Sequence, residues 1–319
     1  MTTRRTLLLA ALATPAIAQS WSPERPMRMV VPFAPGGATD IVARVLAEPM
    51  GTRLGQAVAV ENRTGAGGNV GVESVVRAAA DGHTLLMGTT GTLTINQHLY
   101  TNMTFNPVAD LAPVGLAFGT DHVLIVNTSV AAQTAQEFLA LVRAQPGRLS
   151  YGSGGSGTST HTVAELFKLV AQVDIQHVPY RGSAPALNDT VAGNVQVMLD
   201  QIASALPMIQ GNRVRALAVT GPRRHPALPN VPTVAEIGLA AAEATSWGAV
   251  MAPAATPAPA IARLNAALRE SLELPAVRER LTAVGADALT STPAELATYL
   301  RAEVEKWGRV VREARITVN

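Results

Sequence analysis

Residues 27–46 read MRMVVPFAPGGATDIVARVL, an apolar run followed by a Pro-Gly-Gly turn and a second apolar stretch. The run from Met27 to Phe33 predicts a short buried strand, and the spacing of apolar residues after the turn predicts a helix over about 41–54. A strand joined by a tight glycine turn to a helix is the first half of a βαβ unit, in which the next strand runs parallel to the first.

The same alternation of strand and helix patterns continues along the chain. It predicts a strand at 58–60, a helix at 70–80, a strand at 84–87, and then helices at 134–144, 158–171, 183–192 and 202–210 alternating with strands at 149–151, 175–178, 195–199 and 214–219. Further on we expect a short helix at PTVAEIG (232–238), a strand at 246–251, a Pro/Ala linker at 252–260, and helices at 259–272, 276–283 and 293–315. This order predicts an α/β fold with parallel strands.

The N-terminus has the pattern of an export signal. Arg4 and Arg5 precede an apolar stretch that runs from Leu7 to Ile17, and Ala16-Ile17-Ala18 is typical of a cleavage site, with Gln19 as the first mature residue. The stretch is shorter than the ~20 residues that span a bilayer. We expect export to the periplasm by the Sec route, and the paired arginines leave the twin-arginine route open.

Composition excludes several classes of protein. The chain of 319 residues has no cysteine, which excludes disulfides, thiolate zinc sites and cysteine nucleophiles. Removal of residues 1–18 leaves 23 basic and 23 acidic residues, a formal charge of zero. With this neutral balance and only 4% aromatic residues, we expect no nucleic-acid partner.

Two glycine-rich turns follow predicted strands and precede predicted helices. The first is Pro35–Gly37, and the second is YGSGGSGT at 151–158. Open parallel sheets bind ligands at this edge. Glycines leave backbone N–H groups unshielded, and a helix start adds free donors and the positive end of a dipole. We therefore expect a carboxylate or phosphate at each turn, and two lobes that face each other across a cleft.

Other interpretations of these turns are weaker. Gly152, Gly154 and Gly157 match the dinucleotide pattern G-x-G-x-x-G, but the acidic residue at the ribose spacing, Asp174, precedes the next strand instead of following it. A third glycine turn at 65–69 is explained equally well by close packing of a helix on a strand.

Catalytic and metal-binding patterns are not apparent. Ser153 and Ser156 do not satisfy G-x-S-x-G, which leaves a Ser–His pair with His161 without a nucleophile elbow. The six histidines show no metal-ligand spacing. Asp40 is most simply a partner of the first helix dipole, whereas Asp200 at a strand end is either a functional acid or a cap.

Five separated motifs resemble one family of transport receptors. They are VPFAPGGATDIVAR, VENRTGAGGNVG, ADGHTLL, YGSGGSGTSTH and HVPYRGSAPALNDTVAGNV. In this order they resemble the Bug-type receptors of tripartite tricarboxylate transporters, from about Pro26 to the C-terminal helix. The sequence differs from the usual family pattern at His83, Asn188–Thr190 and Thr162, none of which lies in a glycine turn.

The resemblance implies a two-lobed type II periplasmic-binding-protein fold, in which each lobe is a mainly parallel sheet flanked by helices. It implies a signal peptide at 1–18, lobe one from 19–120 and 221–319, lobe two from 121–220, and crossings near 115–125 and 216–225. The implied ligand-binding residues are Phe33, Ala34, Pro35, Gly36, Gly37, Asp40, Thr89, Thr90 and Gly91 in lobe one, and Ser153, Gly154, Gly155, Ser156, Thr158, His161 and Asp200 in lobe two.

The resemblance also implies a function. A monomeric periplasmic receptor would capture a small organic carboxylate, most simply a di- or tricarboxylate, and deliver it to a membrane transporter of two different subunits. We expect no catalysis, cofactor or metal. The alternatives are a ligand-sensing subunit of a membrane signalling protein and a secreted hydrolase.

Overall fold

The computed structural model describes residues 21–313 and 316–318, so the predicted export signal lies outside the described residues. The strands are β1 (Met27–Val31), β2 (Val58–Asn62), β3 (Thr84–Thr89), β4 (Leu111–Asn127), β5 (Ser150–Ser153), β6 (Gln176–Pro179), β7 (Val197–Gln201), β8 (Val214–Val219), β9 (Thr245–Pro253) and β10 (Asp287–Ala288). The α-helices are α1 (Ala38–Leu54), α2 (Asn69–Val76), α3 (Ala135–Ala144), α4 (Ser159–Ala171), α5 (Ser183–Ala192), α6 (Ile202–Gln210), α7 (Ala258–Leu272), α8 (Pro275–Ala283) and α9 (Pro293–Glu313).

The strands form two lobes joined by one long strand. In lobe one, β1 lies between β2 and β3 and is parallel to both, while β9 lies antiparallel between β3 and β4. In lobe two, β5 lies between β6 and β7 and is parallel to both, while β4 is antiparallel to β7 and β8. The two-lobed α/β fold is confirmed. Each lobe has a parallel group of three strands completed by antiparallel ones, so its sheet is mixed, whereas we expected it to be mainly parallel.

Strand β4 carries the chain from lobe one to lobe two. Its first part, Leu111–Asp121, pairs with β9, and its last part, from His122 to Val126, pairs with β7. The apolar pattern did not predict this strand, because Pro113, Gly115 and Gly119 interrupt it. Its pairing partners are far away in the sequence, so that local patterns carry no signal for it.

Each lobe has its own hydrophobic core. In lobe one, α1, α7 and α8 cover one face of the sheet, where Met29, Leu46 and Leu268 are completely buried. In lobe two, residues beyond the expected boundary at 220 belong to the core, since Val234 and Leu239 pack among the side chains of α3 and α4.

Two expected segments differ from the structure. PTVAEIG at 232–238 forms consecutive turns and no helix; Thr233 and Glu236 hydrogen-bond each other's backbone N–H groups as in a capping box, but the chain then turns at Gly238, where φ is +84°. APAATPAPA at 252–260 is not a linker, because it contains the end of β9, one turn and the start of α7. Pro257 and Pro259 suit a helix start, where a missing N–H costs nothing.

The two lobes touch each other across the cleft. The Ala34 N–H of lobe one donates to the Arg181 carbonyl of lobe two over 3.3 Å. The Tyr100 hydroxyl of lobe one donates to the Ser156 carbonyl of lobe two over 2.7 Å. The structure is therefore a closed arrangement of the lobes. Among the described residues, no helix has the length and apolar character needed to cross a membrane.

Candidate ligand-binding site

A small pocket lies between the lobes. It is placed where four helices begin, at the carboxyl ends of the parallel strands. Lobe one contributes the start of α1 and the end of β3, and lobe two contributes the starts of α4, α5 and α6. The lining residues are Phe33, Gly37, Ala38, Thr39, Thr89, Gly154, Thr158, Ser159, Thr160, Ser183 and Gln201.

The start of α1 presents free backbone donors to the pocket. Gly37 is the N-cap in an extended conformation, and the N–H groups of the first helical turn have no partner within the helix. Asp40 does not line the pocket. Its carboxylate accepts hydrogen bonds from Gly36 N, Asn62 Nδ2 and the Arg44 guanidinium, which fixes the turn. Burial alone would raise the pKa of Asp40, but these hydrogen bonds hold it below its usual range.

The glycine loop before α4 uses most of its own donors internally. Gly154 N donates to Thr160 Oγ1 over 2.8 Å, and Gly155 N donates to Ser153 Oγ over 3.1 Å. Gly157 N donates to Nδ1 of His161 over 3.1 Å. Since these three glycine N–H groups are occupied, the donors left for a ligand are those of the first turn of α4, including Ser159 and Thr160.

A stack of aromatic rings supports this loop from behind. The His161 ring lies 4.2 Å from the His177 ring, which stacks at 4.9 Å on Tyr151. Burial, with a smaller contribution from Lys168, lowers the pKa of His161 to about 4, so its Nδ1 is available as an acceptor at neutral pH. His161, expected at the ligand, does not line the pocket, and its Nδ1 accepts from Gly157 N.

Ser153 and His177 form the Ser–His contact that a hydrolase would need. Ser153 Oγ lies 2.6 Å from Nε2 of His177. However, Ser153 is completely buried and does not line the pocket, and its Oγ also accepts from Gly155 N. The pair therefore stabilises the glycine loop, because the Ser153 hydroxyl is not accessible to a substrate in the pocket.

The starts of α5 and α6 complete the pocket from lobe two. Ser183 is the first residue of α5, so its N–H and hydroxyl are both donors near the pocket. At the start of α6 the site is different, because Asp200 Oδ1 already accepts from Gln201 N and Asp200 Oδ2 accepts from Ser204 Oγ. Burial raises the pKa of Asp200 to about 7. Asp200 thus acts as a cap for α6, and Gln201 is the residue that faces the pocket.

The structure divides the sixteen expected site residues into two groups. Five line the pocket: Phe33, Gly37, Thr89, Gly154 and Thr158. The other eleven do not line the pocket; Thr90 Oγ1, for example, bonds the Trp247 backbone. Six lining residues were not expected: Ala38, Thr39, Ser159, Thr160, Ser183 and Gln201. All of them lie at a helix start or one residue before it. A predicted helix start is therefore the sequence signal that could have identified them, whereas the glycine patterns did not point to them.

The electrostatics of the pocket favour an anion. Among the lining residues in the described part of the chain, none carries a formal charge. The positive ends of α1, α4 and α5 converge there from both lobes, and each offers unpaired backbone donors. Elsewhere in the described chain no three His, Asp or Glu side chains come together in a way that could hold a metal ion.

Comparison with known sequences identifies the class of protein. The sequence model described as tripartite tricarboxylate transporter family receptor matches residues 42–316, and the chain belongs to this family. Protein BugT of Bordetella pertussis is 36% identical over 305 residues, which cover 95% of this chain and 93% of that protein. A protein of Pseudomonas sp. (strain P51) from the tcbD-tcbE intergenic region is 41% identical over 298 residues, 93% of this chain and 88% of that one.

Solved structures of similar chains are solute-binding receptors. The periplasmic binding protein BugD superimposes with a TM-score of 0.90 at 34% identity, over 93% of this chain and 100% of that chain. Rpa4515 of R. palustris with adipate superimposes with a TM-score of 0.90 at 33% identity, over 93% of this chain and 99% of that chain. MatC (Rpa3494) of Rhodopseudomonas palustris with bound malate superimposes with a TM-score of 0.87 at 35% identity, over 91% of this chain and 99% of that chain. These homologues are thus solute-binding receptors and not enzymes.

Proposed function

We propose that this protein captures a small dicarboxylate in the pocket between its lobes. The observation that carries the proposal is the convergence of helix starts from both lobes on a pocket lined by uncharged residues. A carboxylate at one end of the ligand binds the start of α1, and a carboxylate at the other end binds the starts of α4 and α5. Each helix start stabilises a negative charge without a paired cation.

The relatives support a ligand of this class. Adipate and malate, the molecules named with two of the similar structures, both carry two carboxylates. A ligand with one charge at each end fits a pocket whose donors are divided between two lobes. A ligand held by both sets of donors then stabilises the closed arrangement, because neither lobe alone supplies both sets.

The lobe division follows the packing. We propose that lobe one consists of residues up to about 120 and from 245 onward, and lobe two of the residues between, instead of ending at 220. The position of Val234 and Leu239 in the core of lobe two supports the later boundary. The crossing segments are then the middle of β4 and the start of β9, which pair with each other at Asp121 and Thr245.

The receptor would act as a monomer in the periplasm and deliver its ligand to a two-subunit membrane transporter. Family membership and the export pattern of the first 18 residues support this role. N-terminal sequencing of the exported protein should begin near Gln19. Mature protein that retains residues 7–12 would contradict cleavage at Ala18.

A thermal-shift screen tests the ligand class. Linear dicarboxylates of increasing length, with matched monocarboxylates, amino acids and phosphate esters, would be added to the purified mature protein. We expect the largest increases in melting temperature from dicarboxylates, because a ligand that binds only the folded state stabilises it. Stabilisation by monocarboxylates alone would contradict the proposal.

A further inference from the structure

We infer that the Gln201 side chain contacts the part of the ligand that lies between the two carboxylates. This contact favours a dicarboxylate that carries a hydroxyl group at that position over one that carries hydrogen or an ammonium group. This inference rests on the function proposed above and adds the substituent to it. Gln201 is distinct among the lining residues because its side chain offers both N–H donors and a carbonyl acceptor.

Gln201 lines the pocket and is the N-cap of α6. The residue is only 6% exposed, and its amide makes no hydrogen bond to any described residue. Its backbone N–H donates to Asp200 Oδ1 over 2.9 Å and is therefore not available to a ligand. An amide at the wall of the pocket that has no partner among the described residues can donate to and accept from a bound molecule.

The residue beside Gln201 is also polar and incompletely paired. His122 on β4 is the direct partner of Gln201 on β7, which places both side chains on the same face of the sheet. The ring is completely buried; its Nε2 lies 3.3 Å from Ser246 Oγ, and its Nδ1 has no partner among the described residues. Burial lowers the pKa of His122 to about 3, so the ring adds polarity but no charge.

The charges around the pocket distinguish a hydroxyl from an ammonium group. None of the lining residues is a carboxylate, and three helix starts direct positive potential at the ligand. The two acids that neighbour lining residues in the sequence, Asp40 and Asp200, already use their oxygens for hydrogen bonds within the protein. An ammonium group would lose its hydration without gaining an ion pair, which is costly. A hydroxyl can both donate to the Gln201 carbonyl and accept from its N–H group.

An unsubstituted dicarboxylate leaves the Gln201 amide unpaired. A site that is built to hydrogen-bond a hydroxyl discriminates against the analogue that lacks it. We therefore expect about tenfold weaker binding for the unsubstituted ligand, and weaker binding still for the amino-substituted one.

Titration calorimetry with matched ligands tests the inference. The probes are malate, succinate and aspartate, together with 2-hydroxyglutarate, glutarate and glutamate for the longer spacing. For the wild type we expect the hydroxylated member of a series to bind about tenfold more tightly than the plain one. Gln201→Leu should reduce this ratio to about one, mainly by weakening the hydroxylated ligand, while the exposed Gln145→Leu should leave it unchanged.

A second variant keeps the test valid if Gln201→Leu is unstable. Gln201→Glu preserves the size of the side chain and adds a negative charge, so it should weaken malate and improve aspartate relative to succinate. Equal binding of malate and succinate by the wild type, or an unchanged ratio in Gln201→Leu, would overturn this inference and leave the dicarboxylate proposal standing. Failure of every dicarboxylate in both series to bind would overturn both.

Discussion

Replacing Gly91 by alanine should block closure of the lobes without damaging either lobe. Gly91 begins the turn that follows β3, and its φ lies outside the left-handed region, so alanine causes no backbone strain. A Cβ atom at this position would lie 2.9 Å from the Gly157 carbonyl oxygen and 3.2 Å from Thr158 Cα, both in the backbone of lobe two. Ordinary contacts begin near 3.4 Å, so the lobes must move apart by about half an ångström.

The size of the effect follows from the cost of an extra methyl group in a tight contact. Overpacking costs about 1–3 kcal/mol, which corresponds to roughly a fivefold to hundredfold loss of affinity. The loss should appear in calorimetry with the dicarboxylate that stabilises the wild type most. The melting temperature of the ligand-free protein should not change, since separation of the lobes relieves the contact.

A matched control is Gly211→Ala. Gly211 is exposed at the end of α6 and also has an ordinary φ; its Cβ would contact only its own lobe, with Pro207 O at 3.2 Å. We expect wild-type affinity for this variant. If Gly91→Ala bound the dicarboxylate within twofold of the wild type, the contact between lobes would not be part of the bound state, and the reasoning would fail.

Three further predictions concern the loops and the buried acid. Tyr100→Phe removes the hydrogen bond to the Ser156 carbonyl across the cleft, worth about 1 kcal/mol, so calorimetry should show about fivefold weaker binding, and unchanged affinity would argue against this contact in the closed state. Gly155→Val should lose most ligand affinity, because the φ of Gly155 is +119° and the new Cβ would lie 2.8 Å from Tyr180 O. Ser156→Ala should bind the ligand like the wild type, because the Ser156 hydroxyl bonds no described residue. Equal ligand affinities of the two variants would contradict this assignment. Burial raises the pKa of Asp200 from 3.8 to about 7, so the native state holds the proton of this carboxyl more tightly than the unfolded chain does. Protonation of Asp200 therefore contributes to the stability of the native state fully below about pH 4, and this contribution is lost as the pH rises through 7. In urea titrations, Asp200→Asn should therefore have a higher free energy of unfolding than the wild type above pH 7, by roughly 4 kcal/mol, and this difference should shrink toward pH 4. A difference in free energy that stays constant across pH would contradict the raised pKa.

The sequence predicted the βα units because each is determined locally. In α1, for example, a glycine turn, an acidic residue in the first turn and spaced apolar residues all lie within 20 residues, and the helix begins three residues before the expected start. The strand β4 and the two-residue strand β10 were not predicted. Both depend on pairing partners that are distant in the sequence, Pro253 to Thr245 for β4 and Phe118 to Gly119 for β10.

The glycine turns predicted from the sequence border the pocket, but the sequence did not show which of their groups face it. Glycines indicate where the chain turns, and the structure shows that the N–H groups of Gly154, Gly155 and Gly157 are satisfied within the loop. The side chains that accept these bonds come from the loop and from α4, and their orientation depends on packing. Ser183 and Gln201 were missed because they enter the pocket only through the arrangement of α5 and α6 in lobe two.

The central claim is that each lobe binds one carboxylate of the same ligand. It is tested most directly by calorimetry on the wild-type protein with a dicarboxylate and with its monoamide, which has the same shape and one charge fewer. A charge-assisted hydrogen bond contributes about 1.5–3 kcal/mol, so the monoamide should bind roughly tenfold to a hundredfold more weakly. If the monoamide bound as tightly as the dicarboxylate, one lobe would hold something other than a carboxylate, and the account of a ligand that bridges two helix-start sites would be wrong.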